Sequence, residues 1–249
     1  MRVPALQKAL IILETLQKHR RCTISELISY TDLPRSSVYV LVDDMIKLRL
    51  IRQNSDKSIQ LWMKLVSLGN SASASLDLNE LISPYLDSLI SSIDCIAVNF
   101  GIMDDDKAYC SLNISSPNSS VRINSRVGSE VSLLHSALGK CLLAYSSSSR
   151  REQIINSLDY SRATANSIAT PEALRKELAI IHNRGYAFDN GEENLDIRSV
   201  SAPILDFDNH LIGAISTIGT TRKFSKDALP SIIEKVKNVT MQIKSDLMI

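Results

Sequence analysis

Residues 23–61, TISELISYTDLPRSSVYVLVDDMIKLRLIRQNSDKSIQL, constrain the fold more than any other stretch of this chain. Thr23 followed three residues later by Glu26 is the capping-box pattern that opens a helix. Ile24, Leu27 and Ile28 place an apolar stripe on one side of it. Asp32-Leu33-Pro34 then breaks the chain, and Pro34 suits the first position of a second helix, where its missing N–H is no loss. In that helix Val38, Leu41, Val42 and Met45 recur at i, i+3, i+4 and i+7, so they face inward. The opposite face begins Arg35, Ser36, Ser37 and Tyr39. A cation, short donors and an aromatic at the start of a helix are what a recognition helix offers to a DNA major groove. Asn54-Ser55-Asp56 is turn chemistry between the apolar runs Leu50-Ile51 and Ile59-Gln60-Leu61, which predicts a two-stranded wing flanked by Arg52 and Lys57. Helix, turn, helix and wing, in that order and at that spacing, read as a winged helix–turn–helix that grips duplex DNA.

Charge supports this placement. The net charge of +1 hides an asymmetry: residues 1–66 hold 11 Lys+Arg against 6 Asp+Glu, a net of +5, and the remainder holds 17 against 21, a net of −4. A positive amino-terminal third suits a phosphate backbone. Ahead of the motif, Leu6, Ala9, Leu10, Leu13 and Leu16 follow helical spacing, interrupted by Lys8, Glu14 and Lys18. With no signal-peptide cleavage region, this stretch reads as the first core helix of the same domain. No uninterrupted apolar run of about 18 residues exists, so no membrane span is expected. The four cysteines, Cys22, Cys95, Cys110 and Cys141, form no CxxC pair, which points away from zinc and towards reduced, buried thiols in a cytoplasmic protein.

Beyond the wing the pattern changes twice. Trp62 to Leu76, with Leu65 and Leu68 on a weak stripe and a small polar run at 71–75, reads as a helical linker. From Asn79, taken as a cap, an amphipathic helix carries Leu81, Ile82, Tyr85, Leu86, Leu89 and Ile90. Strands are expected at 95–100, 108–112 and 121–125, helices at 134–145, 150–158 and from Thr170 to Gly185, strands at 199–205 and 211–218, and a last helix opening at Ser225. The expected fold class is α+β: a winged helix–turn–helix over 1–62, a helical linker over 63–78, and a domain over 79–249 with an antiparallel sheet. One face of the sheet is covered by helices and the other is free to hold a small ligand.

Both halves resemble the IclR family of bacterial transcription regulators. In the first half the likeness rests on ALQKALIILETL, ISEL, LPRSSVYVLV, the wing and KLVSLG; in the second on RVGSEVSLLHSALGKCLLA, RGYAFDNGEEN, IRSVSAPILD and IGAISTIG. The resemblance implies a winged-helix domain, a helical linker and a GAF-like effector domain. It further implies a homodimer or homotetramer that binds double-stranded operator DNA and is tuned by a small organic or sugar-derived acid. It implies no cofactor or metal, and most often repression, here of a carbon-catabolism operon. Two departures stand out. Val40 occupies a recognition-helix position that is usually basic in the family, and Trp62 stands where many members have glycine.

The same resemblance marks an effector site. It lies beside Ser136–Lys140, with Ala137 and Leu138 at a helix start whose N–H groups can hold a carboxylate. Asp189, Ser199 and Ser216 supply further contacts, and Ile218 stands where the family has a second serine, so the pocket loses a donor. Each also has a plain structural reading: turn chemistry for Asp189, strand hydroxyls for Ser199 and Ser216, packing for Ala137 and Leu138. Two alternatives remain open on the residues alone. His135, Asp189 and Ser216 could serve an enzyme acting on a small metabolite, although GxSxG, GxxxxGK[ST] and HExxH are all absent. The second half could also be only an oligomerisation scaffold.

Overall fold

A computed structural model describes residues 4–74, 77–117, 119, 121, 123, 125–206 and 208–246. It divides into two compact units, Met1–Leu76 and Asp77–Ile249.

The first unit is built from α1 (Pro4–His19), α2 (Ile24–Thr31), α3 (Arg35–Lys47), β1 (Ile51–Gln53), β2 (Ile59–Leu61) and α4 (Met63–Ala74). The capping box is formed: Glu26 N donates to Thr23 Oγ1 at 3.3 Å, and Thr23 N donates to Glu26 Oε2 at 2.7 Å. Pro34 sits one place earlier than expected, at the cap position, because its extended ψ of 132° delays the helical turn to Arg35. Ile12, Leu16, Leu27, Val38, Val42, Met45, Ile51 and Ile59 make the core. Leu6 and Leu10 are exposed, so the inward stripe of α1 runs through Ile12 and Leu16 and not through every leucine of the repeat. The wing pairs Ile51 with Leu61 and Gln53 with Ile59, antiparallel.

The second unit contains α5 (Asp77–Ser92), β3 (Ala97–Asp104), β4 (Lys107–Ser115), β5 (Glu130–Val131), α6 (Ala137–Ala144), α7 (Ser148–Ser157), α8 (Pro171–Arg184), β6 (Ala187–Asn190), β7 (Ile197–Leu205), β8 (Leu211–Thr220) and α9 (Leu229–Asp246). Six strands form one antiparallel sheet in the order β5-β4-β3-β8-β7-β6. Strand alternation sorts the two faces. Val98, Phe100, Val200 and Ile215 turn to a core shared with Leu86 and Leu89 of α5 and Val236 and Ile243 of α9. On the other face Ala108, Ala187 and Ala214 pack under α6, α7 and α8. Helices therefore cover one face fully and part of the second.

Several expected boundaries move, each for a local reason. Asn79 does not cap α5 but lies inside it, buried, with Oδ1 accepting from Ser111 Oγ at 2.8 Å. Val121, Ile123 and Ser125 are not in a strand; residues 122 and 124 fall outside the described set. The chain instead rejoins β4 at Glu130–Val131, after a turn with Gly128 at φ +81° in which Gly128 N reaches Cys110 O. Helix α6 opens at Ala137 because Ser136 Oγ accepts from Gly139 N at 2.9 Å. Ser225 organises a turn ahead of α9, which begins at Leu229. The short strand β6 carries no alternation of its own and is held by β7 through Asp189↔Ser199. Gly185 ends α8 at φ +79° as expected.

Candidate functional site

The amino-terminal unit presents α3 with an open start. Its cap residue Pro34 makes no side-chain cap bond, and the first turn carries no acid. Arg35, Ser36, Tyr39 and Val40 are exposed, and Ser37 is half-buried, accepting from Lys8 Nζ of α1 at 3.1 Å. The acids of this helix are at its far end, where Asp43 pairs with Lys47 at 2.5 Å. The wing turn is braced by Asn54 Nδ2 to Ser58 Oγ at 3.0 Å and Ser58 N to Asp56 Oδ1 at 2.9 Å, with Lys57 in the left-handed region at φ +65°. Lys57 and Arg52 are both exposed, and the Arg52 guanidinium lies 4.5 Å from the Trp62 ring centroid.

In the second unit a cavity of about 600 Å³ opens beside the first turn of α6. Leu138, Asp189, Ser199, Ser216 and Ile218 all line it; Ala137 does not, being packed in the apolar core beneath α6. Sheet register assembles the wall. Asp189, Ser199 and Ile218 stand side by side across β6, β7 and β8, and Ser216 and Asn99 stand side by side across β8 and β3. Asn99, Ser125, Ser129, Glu130, Ser132, Glu193 and Asn194 add to the polar lining and were not singled out by sequence; Ser136, at the start of the segment that was, lines it too. Asn99 could have been: a lone amide in the apolar strand AVNF invites a partner, and here it donates to Ser125 Oγ at 2.7 Å and accepts from Asn113 Nδ2 at 2.6 Å. The N–H groups of Ala137 and Leu138 have no hydrogen-bond partner among the described residues.

Behind the wall lies a buried ion pair. Lys140 of α6 donates to Phe188 O at 3.0 Å and to the carboxylate of Glu192. Asp189 accepts from Glu192 N at 2.8 Å and from Ser199 Oγ at 3.2 Å, which fixes its carboxyl at the cavity edge. Burial pushes the Asp189 carboxyl above its ordinary range, against its hydrogen bonds and the Lys140 charge. Burial pushes Glu192 up to about 7, again against Lys140. His135 is absent from the lining, burial lowers its pKa, and its Nε2 has no partner among the described residues. No Ser–His–Asp relay is assembled from His135, Asp189 and Ser216. All four cysteines are buried free thiols, and no group of three His, Cys, Asp or Glu among the described residues is placed to hold a metal. No helix among the described residues is long and apolar enough to cross a membrane.

The family model described as bacterial transcriptional regulator IclR C-terminal matches residues 70–245, and the IclR helix-turn-helix domain model matches residues 5–55. The chain belongs to the IclR family. RhmR of Escherichia coli strain K12, named an uncharacterized HTH-type transcriptional regulator, is 33% identical over 226 residues, covering 91% of this chain and 86% of its own. The HTH-type transcriptional regulator KdgR of the same organism is 27% identical over 246 residues, covering 98% and 93%. Among solved structures, an IclR homolog from Microbacterium hydrocarbonoxydans complexed with 4-hydroxybenzoate superposes with a TM-score of 0.82 at 22% identity, covering 98% of this chain and 99% of that one. This IclR-family chain is a DNA-binding helix–turn–helix transcriptional regulator, and the relatives with which it aligns end to end are named as regulators, not enzymes.

Proposed function

We propose that this regulator is a repressor of a carbon-catabolism operon whose grip on operator DNA is tuned by a small polyhydroxylated acid in the cavity beside α6. The observation that carries the ligand assignment is the polarity of that cavity. Its α6 side carries Ser136 and Leu138 at the helix start, where the helix dipole favours an anion. Its lining also carries Glu130, Asp189 and Glu193, which repel an acid but accept from hydroxyls. A ligand with a carboxylate at one end and hydroxyls at the other, a sugar-derived acid, satisfies both. Leu138, Val131, Ile197 and Ile218 take its carbon skeleton. The volume of about 600 Å³ lies in the range of small-molecule sites. The complex of the Microbacterium homolog with 4-hydroxybenzoate supports an acid ligand in this fold.

On the DNA side, a homodimer or homotetramer sets two α3 helices in successive major grooves of a near-palindromic operator. Arg35, Ser36, Ser37 and Tyr39 lie closest to the bases, and Arg52 and Lys57 reach phosphates from the wing. Val40 offers no charge to this surface. The first group governs sequence preference and the second salt-dependent affinity. Ligand alters the outcome only by binding unequally to the DNA-competent and incompetent states.

Two measurements test this. A thermal-shift series should show stabilisation by aldonic or uronic acids, weaker for the parent sugars and for acids without hydroxyls, and lost in Asp189→Asn. Arg35→Ala should weaken operator binding clearly. Stabilisation by none of these compounds, with operator binding intact, would return the second unit to a scaffold role. Unchanged operator affinity in Arg35→Ala would refute the placement of α3.

A further inference from the structure

We propose that Trp62 is a positioning residue for DNA binding, holding the Arg52 guanidinium by its face so that its edge is presented to a backbone phosphate. This rests on the reading of the wing as a phosphate-contacting element. The Arg52 guanidinium lies 4.5 Å from the Trp62 ring centroid, and among the described residues Arg52 makes no ion pair and no side-chain hydrogen bond. Several other arginines spend their N–H groups internally: Arg184 on Glu177 and Tyr186 O, Arg175 on Glu152, Arg198 on Asn190 and Phe224 O. Stacking uses only the π-face of a guanidinium and leaves its five in-plane N–H groups free, the geometry that matches a phosphate bidentately. The backbone that carries the ring is well anchored. Trp62 N donates to Leu50 O at 2.8 Å, and Trp62 O accepts from Leu65 N at 3.0 Å, so the residue is clamped between the end of β2 and the first turn of α4. An exposed arginine normally loses its rotamer freedom when it meets DNA; here much of that loss is taken in the free protein.

The test uses the full-length chain and a duplex selected by it from a random pool, with affinity measured by anisotropy across a salt series. Arg52→Ala should weaken binding and make the log–log salt dependence shallower by about one phosphate contact. Trp62→Ala should weaken binding about two- to five-fold, the worth of an exposed cation–π contact. Trp62→Phe should retain most of the affinity. The Arg52→Ala/Trp62→Ala double variant should bind no more weakly than Arg52→Ala alone. If Arg52→Ala leaves affinity and salt slope unchanged, the phosphate role of the wing is overturned and the inference with it. If Arg52→Ala weakens binding but Trp62→Ala is without effect, or adds its full cost to the double variant, only the positioning role is overturned. Should Trp62→Ala not fold, the sole tryptophan of the chain decides the matter directly. Its emission should differ between wild type and Arg52→Ala in the free protein, and identical spectra overturn the stacking.

Discussion

Replacing Lys140 by methionine should destabilise the second unit in a strongly pH-dependent way. Lys140 is almost wholly buried, and it holds two things: Phe188 O at 3.0 Å and the Glu192 carboxylate, whose Oε2 has no partner among the described residues. Methionine keeps the length and apolar stem but removes the charge. Glu192 is then a buried carboxylate with no counter-ion, a state that costs roughly 3–5 kcal/mol while it is ionised. In the wild type burial already raises Glu192 to about 7, so this group's contribution to stability is fully present below the unfolded value and is lost as pH rises through about 7. Removing Lys140 removes the attraction that restrains that rise, so the folded pKa climbs further and the loss continues above 7. Near pH 5 the folded-state carboxyl is protonated, although the unfolded one is still largely ionised, and the cost falls towards the missing hydrogen bonds, on the order of 1–3 kcal/mol. Each additional unit of pKa rise adds ~1.4 kcal/mol at high pH. Urea denaturation at about pH 5 and about pH 8.5 measures the difference. The emission of Trp62 marks the transition of the first unit, so a circular-dichroism transition without it belongs to residues 77–249. Equal destabilisation at the two pH values, or less than about 1 kcal/mol at the higher one, would refute the coupling described. Lys140→Met combined with Glu192→Leu should recover most of the loss, because an apolar pair replaces a buried ionic one at little net cost.

Three further outcomes follow from the geometry. Gly139→Ala would place a methyl 2.1 Å from Ser132 O, backbone that cannot yield, so the second unit should lose at least about 1–3 kcal/mol in thermal unfolding and the cavity its ligand response. Thr23→Ala removes the cap acceptor of Glu26 N and should lower the stability of the first unit by about 1 kcal/mol, read from the Trp62 transition. A disulfide reagent should label no thiol quickly in the native chain and all four in urea, since burial raises Cys22, Cys95 and Cys110 and pushes Cys141 up to about 12. Rapid native labelling of even one would contradict their packing.

The amino-terminal unit was legible because its signals are local. The capping box, the chain break at Asp32–Pro34 and the wing turn each involve residues within a few positions of one another, so sequence spacing and spatial contact coincide. Even there α1 departs from its apolar repeat: Leu16 is buried, but Leu6 and Leu10 face outward and Ile12, outside the repeat, is inside. Family resemblance located five cavity residues that spacing alone could not, and it was silent about Asn99, Ser125 and Glu193. The reason is topological. Strand β3 lies between β4 and β8, so Asn99 meets Ser216 across a separation that no local pattern records. The strand expected at 121–125 failed for a related reason: two β-branched residues, Val121 and Ile123, after a serine-rich run do not decide where a chain rejoins a sheet. The left-handed turn at Gly128 does.

The same topology explains why a charged pair is kept at the centre of the second unit. Helix α6 and the segment 188–192 belong to distant parts of the chain, and each contributes to the cavity, the one through Leu138 and the other through Asp189. An apolar contact between them would tolerate sliding by a fraction of an ångström. Lys140 instead pins Phe188 O and Glu192 together, on either side of Asp189, while Glu192 N and Ser199 hold the two oxygens of the Asp189 carboxylate. The wing uses the same device at the surface, where Trp62 holds Arg52. In both places a cation is held within the folded chain, so the cost of ordering its side chain falls on folding.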